Sequence, residues 1–440
     1  MRKDMWFGEL PKRWEKKRLG VVIIKRNEKN DPVKTGFILS LSASHGVKPY
    51  TERENQGNKA KTELSDYYIA FENDLLVNSM NVIIGSSGVS RWYGAISPVY
   101  YALYPRNNEV NIRYLEYIFK HNTFYQSLTG LGNGILEHRM RIPMSKLGNI
   151  EIPLPPRLEQ DQIVRFLDWK VSQLNKLINV RKKQIGLLQE KRKRCIDDAI
   201  IDCKSDRQKF KNLFVLNKGL SITKDDLKAE GISCVNYGEI HSRYGFEVIP
   251  EIHLLKCVDE SYLTTAPKSL LRYGDFIFAD TSEDIAGSGN FTYLNSQIKT
   301  FAGYHTVIAR AVKQLNYRYI AYYFDSSHFR TQIQSLVNGV KVYSITQSIL
   351  KSTLIDLPSE IDQSIIVAYL DQKVSNIDKT IDKLSDEIKL FTEYRIRLIS
   401  DVVTGKLDVR DVVVPEFEKV EDVVDTEFGS QNLEEDDGDE

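Results

Sequence analysis

The chain of 440 residues is 42% hydrophobic and 10% aromatic, long enough for roughly three domains of about 150 residues and apolar enough to build their cores, which excludes a wholly disordered protein. Its 60 basic and 60 acidic residues cancel, but residues 411–440 hold thirteen acids against Lys419 alone, leaving residues 1–410 with 59 bases against 47 acids, a basic body that permits binding to a polyanion such as DNA. Four cysteines, Cys195, Cys203, Cys234 and Cys257, show no C-x-x-C spacing, which argues against a disulfide framework or structural zinc and fits a reducing cytoplasm.

Residues 1–18 are charged and lack the apolar stretch of a secretion signal. The longest apolar runs, such as Gly20–Ile24 and Asn81–Ile84, fall far short of the roughly 20 residues a membrane-spanning helix needs, so no membrane partner is expected. From Leu19 to Asn111, short runs rich in Val, Ile, Tyr and Phe (Tyr67–Phe71, Leu75–Asn78, Ser97–Tyr104) alternate with Gly and Asn punctuation and predict a mixed, strand-rich module. Its loops offer Lys48, Tyr50, Arg53, Asn78, Asn81, Arg91 and Tyr93. Arg and Lys can reach guanine, Asn can bond base edges or phosphates, and Tyr packs beside sugars, so these are candidate DNA contacts. For any one of them, a solvated surface position is the plainer alternative.

Pro153, Pro155 and Pro156 end an extended segment just before a helix. Apolar residues then recur at three and four positions through Leu167, Val171, Leu174, Ile178, Ile185 and Leu188, a heptad seam on a helix from Gln160 to Ile200 that would be about 60 Å long. The basic clusters Arg181–Lys183 and Lys191–Arg194 fall mostly off this seam and read as a solvated face. A second strand-rich module spans Leu213 to Asn316, with runs at Asp275–Ala279 and Thr306–Val312 and with candidate contacts Lys218, Asn236, Tyr237, His241, Arg243, Asn290, Tyr304 and His305. Pro358 precedes a second long helix whose seam is Leu370, Val374, Ile377, Ile381, Leu384 and Ile388. Each stripe is too long to be covered by one small domain, and the economical partner is the other stripe. From about Val413 the acidic run is expected to stay solvated and disordered, its regulatory alternative being competition with DNA for the basic body.

These elements are two copies of one unit. Shifted by 205, Arg113, Tyr114, Tyr117, Phe119, Phe124, Leu131, Asn133 and Gly134 fall on Arg318, Tyr319, Tyr322, Phe324, Phe329, Leu336, Asn338 and Gly339. Shifted by 203, Pro155, Gln160, Ile163, Leu167, Asp168, Lys170, Val171, Ser172 and Ile178 fall on Pro358, Gln363, Ile366, Leu370, Asp371, Lys373, Val374, Ser375 and Ile381. The strand-rich modules upstream share little identity, so each half is a variable module followed by a common one.

Enzyme signatures are missing. Gly405-Lys406 is followed by Leu407 and has no glycine five positions earlier, so it is not a phosphate-binding loop. Pro155-Pro156 lies between Leu154 and Arg157, which does not fit an adenine methyltransferase. The seven histidines are scattered, with no H-E-x-x-H, so neither a metal nor a cofactor is expected.

The block Ile152-Pro153-Leu154-Pro155-Pro156-Arg157-Leu158-Glu159-Gln160, echoed as Leu357-Pro358-Ser359-Glu360-Ile361-Asp362-Gln363, resembles the conserved regions of the specificity (S) subunits of type I restriction-modification enzymes. Thr404-Gly405-Lys406-Leu407-Asp408-Val409 is similar to that family's closing motif, and the resemblance covers about residues 10–410. The second copy has Asp362 where the first has Glu159, and the first helix ends Ile201-Asp202-Cys203 where the second has Thr-Gly-Lys.

The resemblance implies an α+β chain in which two target recognition domains, 1–155 and 205–358, alternate with two long helices, 156–204 and 359–410, packed as an antiparallel coiled coil with pseudo-twofold symmetry. An acidic tail follows at 411–440. It further implies a non-catalytic subunit that reads an asymmetric, two-part target on double-stranded DNA. Methyltransferase and motor-nuclease subunits would supply the chemistry. A coiled-coil scaffold whose modules bind protein is the alternative, and a single-chain methyltransferase or nuclease is a second that the missing motifs disfavour.

Overall fold

The computed structural model describes residues 6–43, 45–52, 60–132, 141–201, 205–339 and 342–421. The chain divides into two compact units, one of residues 1–183 with 384–440 and one of residues 184–383. Both boundaries fall inside the long helices Arg157–Ile201 and Glu360–Val403, so each unit holds a strand-rich module together with part of both helices.

In the first unit a four-stranded antiparallel sheet runs in the order Ile23–Lys25, Tyr100–Pro105, Leu75–Asn78, Ser87–Val89. Strand alternation serves two cores at once: Leu75 and Val77 face the main core with Tyr114 and Phe119, while Leu76 joins Leu39, Leu41 and Ile96 on the other side. The second unit has a five-stranded sheet in the order Phe214–Lys218, Thr306–Ala311, Phe276–Ala279, Phe291–Leu294, Phe246–Val248. Its central strand divides in the same way. Phe276 and Phe278 pack on Phe291 and Phe324, and Ile277 and Ala279 face Val235 and Ile308. A three-stranded sheet, Lys256–Val258, Ile232–Val235 and Thr300–Ala302, completes this module.

The matched blocks make matched contacts. Asn111 caps the helix Ile112–Phe119 at Arg113 N, and Asn316 caps Tyr317–Asp325 at Tyr319 N. Tyr114 donates to the Pro153 carbonyl (3.0 Å), and Tyr319 donates to the Asp356 carbonyl (2.9 Å). Gln160 donates to the Pro155 carbonyl (2.8 Å), and Gln363 to that of Pro358 (2.9 Å). A short antiparallel pair brackets each module, Glu15–Arg18 with Glu151–Leu154 and Asp206–Lys209 with Leu354–Leu357.

Within the first unit the long helices run antiparallel, because Arg395 donates to Asn175 Oδ1 (2.6 Å) and Arg181 pairs with Glu387 (2.6 Å), rising numbers on one helix meeting falling numbers on the other. In the second unit Arg192 pairs with Asp378 (3.1 Å), while Ile196 and Ile200 share a core with Ile366, Leu370 and Val374. Leu167, Leu174, Ile178, Ile185, Leu370, Val374 and Ile377 are buried. Val171, Leu188, Ile381, Leu384 and Ile388 are half-buried. The arginines on this stripe lay their stems along it and carry their charge to the facing helix.

Where the two copies differ in sequence, their surroundings differ. Glu159 is buried and accepts two hydrogen bonds from Arg13 (3.0 and 2.7 Å) and one from Trp14 Nε1 (3.0 Å). Asp362 is exposed, accepts from Ser359 Oγ (2.7 Å), and needs no longer reach. Gly405, at φ 74°, packs so closely on Pro11 that a Cβ there would lie 2.6 Å from two of its ring carbons.

Residues 411–421, expected from sequence to be a solvated tail, instead lie along the helix Arg157–Ile201 within the first unit. Gln162 donates to the Val409 and Val412 carbonyls (3.0 and 2.7 Å), Asn175 to that of Val420 (2.9 Å), and Asn179 to that of Glu421 (3.0 Å). Val412 and Val414 pack on the main core. The physical reason is the run Val412-Val413-Val414: Val412 and Val414 find apolar surface while Val413 stays exposed, and the backbone carbonyls find amide donors at 162, 175 and 179 on the helix. Residues 422–440 lie outside the described residues.

Candidate nucleic-acid interface

In the first unit the described members of the named set fall in three stretches, 48–50, 78–81 and 91–93. Asn78 and Asn81 share one turn: Asn78 Oδ1 accepts from Met80 N (3.1 Å) and its carbonyl from Asn81 N (3.2 Å). Asn78 is buried, so its side chain shapes this turn. Lys48 lies half-buried on the strand Gly46–Pro49, opposite Ser40. Tyr50 opens the turn that follows, its hydroxyl accepting from Ala60 N (3.0 Å). Arg91 and Tyr93 are exposed on the turn between Ser87–Val89 and Gly94–Ile96. Arg91 pairs with Glu421, and Tyr93 stands edge-on to Phe71 with ring centroids 5.2 Å apart. Arg53 lies outside the described residues.

The second unit draws five of its eight named residues together. Tyr237, first residue of the helix Tyr237–Ser242, places its ring 5.6 Å from Tyr304, 5.3 Å from His305 and 6.2 Å from His241. His241 Nε2 lies 2.9 Å from the Thr281 carbonyl, and its Nδ1 lies 2.7 Å from Asn290 Nδ2. His305 is exposed in a left-handed conformation (φ 54°), with Nδ1 3.2 Å from Asp280. Burial raises the Tyr304 phenol above its ordinary pKa, so at neutral pH it remains a hydroxyl that both donates and accepts.

Asn236 supports this cluster from below and is not part of its surface. It is 2% exposed and forms a capping box with Glu239 at the start of the Tyr237–Ser242 helix. Burial raises the Glu239 carboxyl, against the Asn236 N–H groups that donate to it. Gly303 crosses directly over this cap, where a Cβ would fall 1.9 Å from Asn236 Oδ1, so only glycine lets the chain deliver Tyr304 and His305 to their places. Arg243 is exposed at the end of the same helix, and Lys218 is exposed at the end of its strand, away from the cluster's ring contacts.

His241 is also committed internally, since both ring nitrogens are hydrogen-bonded. Of the remaining residues Lys218, Arg243 and His305 are exposed, and the rings of Tyr237 and Tyr304 are half-buried next to His305. Sequence reasoning missed Arg330, whose NH1 donates to Asn290 Oδ1 (2.7 Å), and Asp325, which accepts from Arg330 (3.2 Å) and from Arg192 (2.7 Å). A signal was present: Arg330 and Asp325 lie beside Phe324, Phe329 and Ile333 on helices that carry the common core. Among the described residues no cluster of His, Cys, Asp and Glu could hold a metal ion, and no helix is long and apolar enough to cross a membrane.

Comparison with known proteins agrees with this doubled architecture. The family model described as the type I restriction modification DNA specificity domain matches twice, over residues 11–187 and 206–390. The type I restriction enzyme MjaVIII specificity subunit of Methanocaldococcus jannaschii is 23% identical over 438 residues, covering 93% of this chain and 96% of that protein. The StySPI specificity subunit of Salmonella potsdam is 24% identical over 155 residues, covering 34% of each chain. A solved chain from work on complex assembly and conformational transition of the type I R-M system superposes with a TM-score of 0.64. At 15% identity, and covering 91% of this chain and 100% of the other, it speaks for the fold alone. With both halves matched, the chain belongs to the family of type I restriction-modification DNA specificity subunits.

Proposed function

We propose that this chain is the non-catalytic, DNA-reading subunit of a type I restriction-modification complex, with each strand-rich module reading one half of an asymmetric, two-part target. The observation that carries this is the pairing of one framework with two unlike surfaces. Asp168 and Asp371, Gln160 and Gln363, and Asn111 and Asn316 make the same framework contacts, while the exposed loops differ residue by residue. A repeated framework suits inverted half-sites on duplex DNA, and unlike loops suit unlike half-sequences.

In this reading Tyr237, Arg243, Tyr304 and His305 form the reading edge of the second unit, and Lys48, Tyr50, Arg91 and Tyr93 supply that of the first. The helix seams set the spacing of the half-sites and dock the methyltransferase subunits, with motor-nuclease subunits completing the complex. Extruding a base and transferring a methyl group are the partner's work.

The test is reconstitution. The chain alone binds neither S-adenosylmethionine nor ATP by calorimetry and modifies no DNA, and adding the methyltransferase subunit of the same system yields adenine methylation within a two-part sequence. Stoichiometric S-adenosylmethionine binding by the isolated chain contradicts the reading. So does a reconstituted complex whose methylation is indifferent to sequence, the outcome expected of a scaffold that binds only protein.

A further inference from the structure

The second unit contains a continuous polar chain that starts on the long helices and ends behind the reading edge. Arg192, on the first long helix, donates to Asp378 on the second (3.1 Å) and to Asp325 (2.7 Å). Arg330 donates to the same Asp325 (3.2 Å) and, through its other terminal nitrogen, to Asn290 Oδ1 (2.7 Å). Asn290 Nδ2 meets His241 Nδ1 (2.7 Å), and His241 Nε2 meets the Thr281 carbonyl (2.9 Å). The His241 ring then stands edge-on to Tyr237, which contacts Tyr304 and His305.

The direction of every bond in this chain is fixed by chemistry. A guanidinium only donates, so the Asn290 atom facing Arg330 is the carbonyl oxygen and the amide NH2 faces His241. A backbone carbonyl only accepts, so His241 carries its proton on Nε2 and accepts on Nδ1. Turning the Asn290 amide over, or moving the His241 proton to Nδ1, would set donor against donor and acceptor against acceptor. Asp325 anchors the arrangement. Burial pushes its carboxyl up, but the guanidiniums of Arg192 and Arg330 more than offset that and hold it below the usual carboxylate range.

The repeat supplies an internal comparison. The step between the helices has a counterpart in the first unit, Arg395 on Asn175 (2.6 Å), at positions shifted by 203. The next two links do not. Lys120 stands where Asp325 would and pairs with Glu116 (2.9 Å), and Tyr125 stands where Arg330 would, its ring against Gly85.

We propose that Arg330 is a specificity-positioning residue of the second unit, holding Asn290 and His241 in one orientation and thereby fixing Tyr237, Tyr304 and His305 as a rigid reading edge. This rests on the DNA-reading function proposed above. Rigid presentation matters because discrimination between bases by hydrogen bonds depends on donors and acceptors held in place by the shell behind them.

The test uses the chain in complex with its methyltransferase subunits, reading methylated sequences across a library of duplexes. His305→Ala first identifies the base positions read by this edge. Arg330→Gln should relax those same positions, with about a tenfold loss of preference there, and leave the other half of the target unchanged. Arg330→Lys separates positioning from simple charge balance: it keeps a cation beside Asp325 but cannot bridge Asp325 and Asn290 together, so it should behave like Arg330→Gln. The proposal is overturned if Arg330→Lys retains the wild-type preference, or if Arg330→Gln relaxes positions other than those of His305→Ala. A wild-type complex that methylates no two-part sequence overturns the DNA-reading function itself, a different result from an unaltered preference in the variants.

Discussion

Asp168 and Asp371, 203 positions apart, each accept one hydrogen bond from a tyrosine and one from an arginine of the helix packed on them. Tyr117 (2.7 Å) and Arg113 (3.1 Å) serve Asp168, and Tyr322 (2.6 Å) and Arg318 (2.6 Å) serve Asp371. The pair locks each strand-rich module to the start of a long helix. Burial and the neighbouring carboxylate both raise the Tyr322 phenol, so its proton stays in this bond. Tyr322→Phe deprives Asp371 of one donor and should destabilise the chain by about 1–2 kcal/mol in urea unfolding. An unchanged midpoint and slope would show that Arg318 alone suffices.

His121 gives the first unit a pH dependence. Its Nδ1 accepts from Phe124 N (3.2 Å) as the cap of the helix Asn122–Ser127, and burial, aided by the nearby Lys406 charge, lowers its pKa from 6.5 to about 4. The unfolded chain therefore takes up a proton between about pH 6.5 and pH 4 that the folded chain refuses, so stability falls as pH drops through that window, by up to about 3 kcal/mol. His121→Asn keeps a capping side chain and cannot titrate. Urea unfolding at pH 7 and pH 5 should show a smaller loss for this variant than for the wild type. Equal losses would assign the pH dependence to other groups.

Much of this fold is legible in the sequence because the framework is written twice. Strand runs such as Leu75–Asn78 and Thr306–Val312 are read almost to the residue, since continuous apolar and β-branched stretches bounded by glycine and asparagine have few alternatives. The candidate site is less legible. Asn236, His241 and Asn290 have the side chains of DNA-contacting residues, yet a capping box or a bond to Thr281 uses those atoms inside the protein. Residue type does not reveal which partner a polar group has found. Residues 411–421 differ from expectation for a related reason: acid counts predict solvation, but Val412 and Val414 pack on the main core and the backbone at 412, 420 and 421 bonds to side chains of the helix.

That segment divides the C-terminus into two parts with different consequences. Ending the chain after Glu421 keeps the backbone bonds of residues 409–421 to the helix and should leave the thermal midpoint unchanged. Ending it after Arg410 also uncovers the surface under Val412 and Val414 and should lower the midpoint by several degrees, at roughly 2–4 °C per kcal/mol for a unit of this size. Both truncations should keep the methylated sequence. A changed sequence, as opposed to a changed affinity or salt dependence, would make the C-terminus part of target reading.

The helix seam offers a geometric prediction. Adding one heptad to each long helix, near Ile185 and Ile388, preserves the phase of the stripe and lengthens each helix by about 10 Å. That corresponds to about three base pairs of duplex. Methylation mapping should show the original half-sequences with a longer spacer, or a weaker complex where the DNA must twist to fit. An active variant with the original spacing would show that the helices dock partners without measuring distance.

The most direct measurement of the central claim, that each half of the chain reads its own half of the target, is sequencing of methylated bases in cells carrying the methyltransferase subunit with one of two chains. One is the wild type, and the other has residues 1–155 replaced by the equivalent module of a relative. The wild type should show a two-part methylated sequence, and the exchanged chain a new first half joined to the same second half. Both halves changing together, or neither changing, would contradict the claim.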